Sequence, residues 1–428
     1  MLPFKDHALR RELSNEVHAR PPEAISAPMC LSYLAIASDP SMRETELRHV
    51  AELASRYGAP PPQQDTTHYS VDFGSFRLRW ERHTEFARYT FMRPGSEEGC
   101  FTHTAFSAAP PEWLAGISGE TLFAAHIALV AEEVSPDSFD AISARFFAGN
   151  PLIGAAVAGR AATALTDVRI HEDGFGRLMV FDRGMTPRQA GRTVQRLLEI
   201  DTYRLLALLA FPVARSLQPN LLAWEQELAR ITTDLARGSC DEPALLSQLM
   251  RLGSQIDSRE ADDHFRFGAA IAYYALVRQR LVELREERLP GLQTFSEFTE
   301  RRLAPAMNTC TSVSARLGSL SERVVRATQL LSTRIDVTRE EQNQAILASM
   351  NRRAALQLRL QETVEGLSVA AITYYIVGLV GYASKAIKAL GYKIDPDIVM
   401  GVSIPLIIGL VAFGIRRIRK HVAGAPGR

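Results

Sequence analysis

The chain has 428 residues, enough for roughly two or three domains with real cores. Its 49 lysines and arginines stand against 48 acidic residues, so no global field draws it to nucleic acid or to acidic substrates. The four cysteines, Cys30, Cys100, Cys240 and Cys310, show no CxxC pair and read as free buried thiols in a reducing compartment rather than as a disulfide framework.

At the front, MLPFKDHALRR is charged by its fifth residue and has no apolar h-region, which argues against a cleaved signal peptide. NEVHARPP, residues 15–22, then brings a carboxylate, an imidazole and a guanidinium together. Its residues suit a helix end. Asp6 can cap a helix whose Leu9, Leu13 and Val17 share one apolar face. Glu16 and Arg20 are i, i+4 partners, His18 and Arg20 suit the negative end of the dipole, and Pro21-Pro22 ends the helix. Asn15 and His18, one turn apart, are the candidate ligand contacts in this stretch.

A helix is expected from about Ser41 to Tyr57, followed by the linker APPPQQ. Tyr69, Val71 and Phe73 alternate with polar residues, as do Phe76, Leu78 and Trp80 with Arg77, Arg79 and Glu81. Period two predicts half-buried strands in a hairpin around Gly74-Ser75. GISGE, residues 116–120, is not a GxSxG nucleophile elbow, and the adjacent pairs Glu132-Glu133 and Asp262-Asp263 read as solvated faces. GNPLIGAAVAGR, residues 149–160, lacks the GxGxxG pattern and a terminal lysine, and reads as a close-packed strand or turn. A second hairpin is expected from Asp167 to Phe181, with HEDGFG as its turn. Thr186-Pro187-Arg188-Gln189 is a helix start, with Thr186 as cap and Pro187 in the first turn, and the helix should run to Pro212.

Beyond Pro219 the pattern is helical, broken at Gly238, Pro243 and Pro290-Gly291. Val313, Leu317, Leu320, Val324, Ala327 and Leu331 form a heptad stripe. A helix from Ala306 to Glu365 would extend about 90 Å; the alternative is an antiparallel hairpin with the preceding helices in one bundle. Gly366–Ser384 and Ile398–Ile415 are then free of charge, and each approaches the ~20 apolar residues needed to cross a bilayer. Arg352, Arg353 and Arg359 precede the first span, and Arg416, Arg417, Arg419 and Lys420 follow the second. These ends outweigh Lys385, Lys388 and Lys393 in the loop, so both termini should be cytoplasmic. The spans hold no ionisable acid or base, which argues against a proton relay. Thr373, Tyr374 and Tyr375 are their polar members near mid-depth, where a phenol needs a partner.

Ten histidines occur without HExxH or HxxxH spacing, and there is no GxxxxGK[ST] loop; no catalytic residue, metal site or cofactor is expected. The expected organisation is α+β: a cytoplasmic α/β domain over 1–215, a helical bundle or stalk over 216–363, a transmembrane hairpin over 364–416 and a basic cytoplasmic tail over 417–428. NEVHARPP, FDRGMTPRQAGRTVQRLLEIDTYRLLAL and EEQNQAILASMNRRAALQLRLQETVEGLSVAAITYYIVGLVGY resemble the bacterial uncharacterised membrane-anchored protein family, a full-length domain of unknown function. That resemblance implies an inner-membrane anchor with a large soluble part, and no activity. The architecture alone also resembles CorA-type magnesium channels, but GLVGYAS at residues 378–384 lacks their Gly-Met-Asn. Two function classes follow. One is a non-enzymatic anchored scaffold or sensor whose cytoplasmic domain binds a ligand or partner. The other is a homo-oligomeric cation pathway assembled through the long helix and hairpin. The bilayer is a partner in both, and nucleic acid in neither.

Overall fold

The computed structural model describes residues 6–11, 13–14, 22–64, 66–95, 99–131, 138–238, 241–390 and 395–423. The chain divides into two compact units, Met1–Thr328 and Gln329–Arg428, and its architecture is α+β.

One sheet organises the first unit. Among the described residues its strands are β1 (Met29–Ala37), β2 (His68–Asp72), β3 (Arg77–Arg82), β4 (Phe86–Pro94), β5 (Thr121–Val130), β6 (Ile153–Val157), β7 (Ala162–Thr166), β8 (Gly176–Asp182) and β9 (Glu287–Arg288). They lie in the order β2-β3-β4-β1-β5-β8-β7-β6-β9. Neighbours are antiparallel except β5 and β8, which run parallel from Ala125 opposite Gly176. The first expected hairpin is β2–β3, with Val71 opposite Leu78 and Gly74 at φ +86° where only glycine sits without strain. The second is β7–β8, but its strands stop at Thr166 and resume at Gly176, so Asp167 belongs to the loop. In β6, a Cβ on Gly154 would stand 2.5 Å from the Ala164 carbonyl oxygen. The close-packed strand expected of GNPLIGAAVAGR is therefore what forms.

Strand alternation gives the sheet two unlike faces. One carries Leu34, Ile36, Leu78, Trp80, Tyr89 and Phe91 against Val50 and Leu53 of α1 (Arg43–Arg56) and Trp113 of α3 (Pro111–Ala115). The other carries Leu31, Tyr33, Arg79, Glu81, Arg88 and Thr90, and α5 (Pro187–Leu208), the helix after α4 (Phe139–Phe146), lies across it. This corrects the sequence expectation for β3: Leu78 through Arg82 are all buried, not alternately solvated. The polar face is roofed by a helix, and period two cannot distinguish a helix from water as the covering layer.

A second correction concerns cysteine. Cys30 in β1 and Cys100 in α2 (Gly99–Thr102) form a disulfide, with Cα atoms 4.9 Å apart and both residues buried. Seventy residues separate them in sequence, but Arg93, one residue before the end of β4, stands opposite Cys30, and the chain reaches α2 shortly afterwards. Register, not spacing, creates the pair. Cys310 is free and buried as expected, and Cys240 lies outside the described residues.

Thr186 caps α5, its hydroxyl accepting from Gln189 N at 3.4 Å. The helix ends at Leu208, before Pro212. That proline falls instead in the first turn of α6 (Ala210–Arg237), where its missing N–H costs nothing. Gly238 (φ +69°) closes α6, and Asp241 caps α7 (Glu242–Leu284). In α7 Asp263 is buried and paired with Arg259 at 2.7 Å, so the expected solvated pair is solvated only at Asp262. Glu132 and Glu133 are outside the described residues.

The longest helix, α8, runs from Phe295 to Ala389. Thr294 and Glu297 close its start reciprocally: the Thr294 hydroxyl accepts from Glu297 N (3.1 Å) and the Glu297 carboxylate from Thr294 N (3.2 Å). Glu286 accepts the next two backbone N–H groups, of Phe295 and Ser296. The heptad stripe is buried from Val313 to Leu331. Arg316 meets Glu225 of α6 at 2.9 Å, and Ser321 donates to Asp257 of α7 at 3.0 Å. The bundle alternative thus describes the beginning of α8, and the long-helix alternative its continuation.

In the second unit, the rest of α8 is followed by α9 (Pro396–Ala423). A Cβ on Gly381 would lie 2.6 Å from Met400 Sδ, so the two helices approach closely there. Both helices are long and apolar enough to cross a membrane.

Candidate functional site

The face of the sheet under α5 concentrates the charge that the first unit buries. Glu81 on β3 stands opposite Arg88 on β4, and Arg79 shares their face two residues earlier. Arg79 meets Glu81 at 2.7 Å, the Arg88 Nε donates to the other oxygen of Glu81, and Arg88 Nη1 lies 3.3 Å from Glu199 on α5. Glu199 also receives Arg280 of α7 at 2.5 Å and the Gln195 amide at 2.7 Å. Arg280 reaches Glu283 at 2.9 Å, and Glu283 meets Arg196 at 3.2 Å. At the other end Glu23 lies 3.8 Å from Arg79 and 3.5 Å from Arg77, which meets Asp72 at 3.2 Å. Five carboxylates therefore alternate with five guanidinium groups, from β2 through the covered face to α7.

Alternation is what makes so much buried charge tolerable, because each ion has opposite neighbours to replace lost hydration. Burial pushes the Glu81 carboxyl up, but Arg88 and Arg79 more than reverse this and hold it at about 2. Burial likewise lowers Arg88, and Glu81 outweighs it, so the guanidinium stays charged. Tyr33 completes the layer. Burial pushes its phenol up to about 12, and it donates to Thr202, whose own hydroxyl donates to the Leu198 carbonyl.

The segment after NEVHARPP seals this layer from the side. Ile25 is buried, its N–H donates to Pro187 O at 3.1 Å, and Glu23 accepts from Ser70 at 2.6 Å. The chain passes so close to α5 that a Cβ on Gly191 would sit 1.7 Å from Glu23 O. Between Glu23, Arg79, Arg88 and Gln195 remains a cavity of about 40 Å³. That holds a few waters, not a metabolite.

A second polar trio lies on the opposite face. Ser32 Oγ and His126 Nδ1 share a hydrogen bond of 2.8 Å, and Phe106 N donates to the same Oγ at 2.9 Å. Asp173 Oδ2 is 3.9 Å from His126 Nε2, beyond hydrogen-bonding distance. The imidazole stacks on Phe175 with centroids 4.0 Å apart, and Ser32 has no exposed surface. The trio is a core hydrogen-bond set, with its serine shut away from any incoming carbonyl. Burial pushes His126 down to about 4, with Asp173 opposing and Arg177 assisting.

That shift has a signed consequence. Below its unfolded value of ~6.5 the unfolded state binds the extra proton first, so stability is full above that pH and falls as the pH drops through 4. His126→Phe should flatten the stability profile between pH 6.5 and 4, by on the order of 3 kcal/mol at the acid end. Chemical denaturation at several pH values reads this, and parallel wild-type and variant profiles would show that His126 does not titrate in the fold.

Of the residues singled out from sequence, Asn15 and His18 lie outside the described residues. Leu9 and Leu13, on the apolar face expected there, are exposed. Thr373 is buried and donates to Val369 O at 2.7 Å. Tyr374 and Tyr375 are both exposed, at 78% and 72%, with their rings edge-on 6.0 Å apart. The pair is thus turned outward, although successive helix residues diverge by about 100°. Among the described residues no group of three or more His, Cys, Asp or Glu could hold a metal ion. The ion-pair layer is what sequence reading missed. Its signal was Glu199 inside the apolar run LLEI, and Arg88 on a strand face that also carries Met92.

A family model described as a protein of unknown function (DUF3422) matches residues 5–422. No curated protein and no solved structure matches the chain, so the architectural likeness to CorA-type channels finds no support.

Proposed function

The chain belongs to the DUF3422 family of proteins of unknown function, and from that premise we propose that it is a non-enzymatic scaffold or sensor anchored in the bacterial inner membrane. The observation that carries this is α8. The helix starts from a reciprocal cap and a buried stripe in the sheet-bearing unit, and continues unbroken into an apolar stretch. Together with α9 that stretch forms a multi-pass hairpin, and the arginines at both ends favour cytoplasmic termini.

A cytoplasmic location must coexist with the Cys30–Cys100 bond, which reducing compartments disfavour. Burial, at 0% and 1% exposure, would slow reduction of the bond once formed, because thiol exchange needs access to sulfur.

Membrane insertion is the test. The full-length chain should stay in the membrane pellet through alkaline carbonate washing. Its recovery in the supernatant would end the anchored reading.

A further inference from the structure

Past Leu331 the long helix loses its intramolecular cover, and every described residue from Asp336 to Ala348 is exposed. A second apolar stripe then begins. Ile346, Leu360 and Leu367 recur at heptad multiples, with Arg353 at the remaining seven-residue step; Met350, Leu356 and Val364 fall between them. The six apolar members are between 57% and 74% exposed. We propose that this stripe, Ile346 to Leu367, docks on the same stripe of a second copy of the chain, parallel and in register. The inference rests on the anchored reading above.

An apolar stripe that returns at seven-residue steps suits a second helix carrying the same stripe. Here it runs about 32 Å along the helix axis. Among the described residues nothing covers it fully. Val313 to Ala327 face the α6–α7 bundle, and Ile415 of α9 reaches only the groove beside Leu360 and Val364, leaving both mostly exposed. From Ile346 to Val364 the stripe is not a membrane surface, because Arg352, Arg353, Arg359 and Glu362 are interleaved with it, and Leu367 alone falls within the first apolar span.

The anchor chooses the occupant. In one bilayer all copies insert in the same direction, so their stripes are parallel, and the shared insertion depth just beyond Gly366 sets the register. Confinement to a surface also raises the effective concentration of one copy for another. Arg353 sits on the seam, where two like charges would meet at the same level. Such a residue specifies register at a cost in stability.

Cross-linking in native membranes tests this with the full-length chain, after Cys240 and Cys310 are replaced by serine. Leu356→Cys and Leu360→Cys place thiols on the stripe. Leu347→Cys and Leu358→Cys, also exposed, point about 125–145° away from it at 100° per residue. A short bismaleimide should join the stripe positions about tenfold more than the other two, a ratio equivalent to about 1.4 kcal/mol. Arg353→Leu should raise the cross-linked fraction further. Equal yields at all four positions, or a fall with Arg353→Leu, would overturn the proposal while the chain remains in the membrane. Release of the chain by carbonate would instead overturn the anchored reading, and this docking with it.

Discussion

Arg88→Met should lower the unfolding free energy by about 3–5 kcal/mol, because it removes one member of a buried pair and strands the others. Arg88 is the bridge between Glu81 on β3 and Glu199 on α5. Without it Glu81 retains only Arg79, and Glu199 retains Arg280 and Gln195. Arg88→Lys should fall between, since an ammonium cannot present a fork to two carboxylates at once. The acid limb of the stability profile carries the same signature. Glu81 is held near 2 in the fold, below its unfolded value, so its contribution is complete above that value and is lost as the pH falls through 2. Arg88→Met should erase much of that acid-range slope. Urea titrations at neutral and acid pH measure both effects. A loss below about 1 kcal/mol, typical of an exposed pair, would mean that this face of the sheet is wet.

The reason this layer was invisible in sequence is physical. FRLRW and the residues after it alternate charge with large apolar groups, and an exposed antiparallel strand does the same. The hairpin, its turn and its apolar face were therefore legible. The roof was not, because α5 comes more than a hundred residues later, and its Glu199 looks like one polar residue in an amphipathic helix. Long-range register hid the Cys30–Cys100 bond in the same way. By contrast Thr186-Pro187, Gly238 and the stripe from Val313 to Leu331 act within a few turns of chain, and all of them sit where the local chemistry puts them. NEVHARPP divides between the two cases. Its first part is outside the described residues, while the segment it leads into lies against Gly191.

Gly191→Ala should therefore destabilise the fold, although helix propensity alone predicts the opposite. Alanine inside a helix is favoured over glycine by about 1 kcal/mol. At this position the new methyl would stand 1.7 Å from the Glu23 carbonyl oxygen and 2.9 Å from its carbon, and both are backbone, which no rotamer change can move. Either α5 shifts, dragging Glu199 from Arg88, or residues 22–25 lift away. Lifting is the cheaper course, and its cost can be itemised. Burial of Ile25 is worth about 1.5–3 kcal/mol. Its bond to Pro187 O and the Ser70–Glu23 bond are worth about 1 kcal/mol each, and about 1 kcal/mol of propensity is regained. The net loss is about 2.5–4 kcal/mol, with Glu23 freed from Arg77 and Arg79. Amide exchange should report it locally, as lost protection at Ile25 that exceeds the change elsewhere in the sheet. A variant that melts higher than wild type, with Ile25 still protected, would show that this segment does not rest on α5 and that Glu23 is not part of the ion-pair layer.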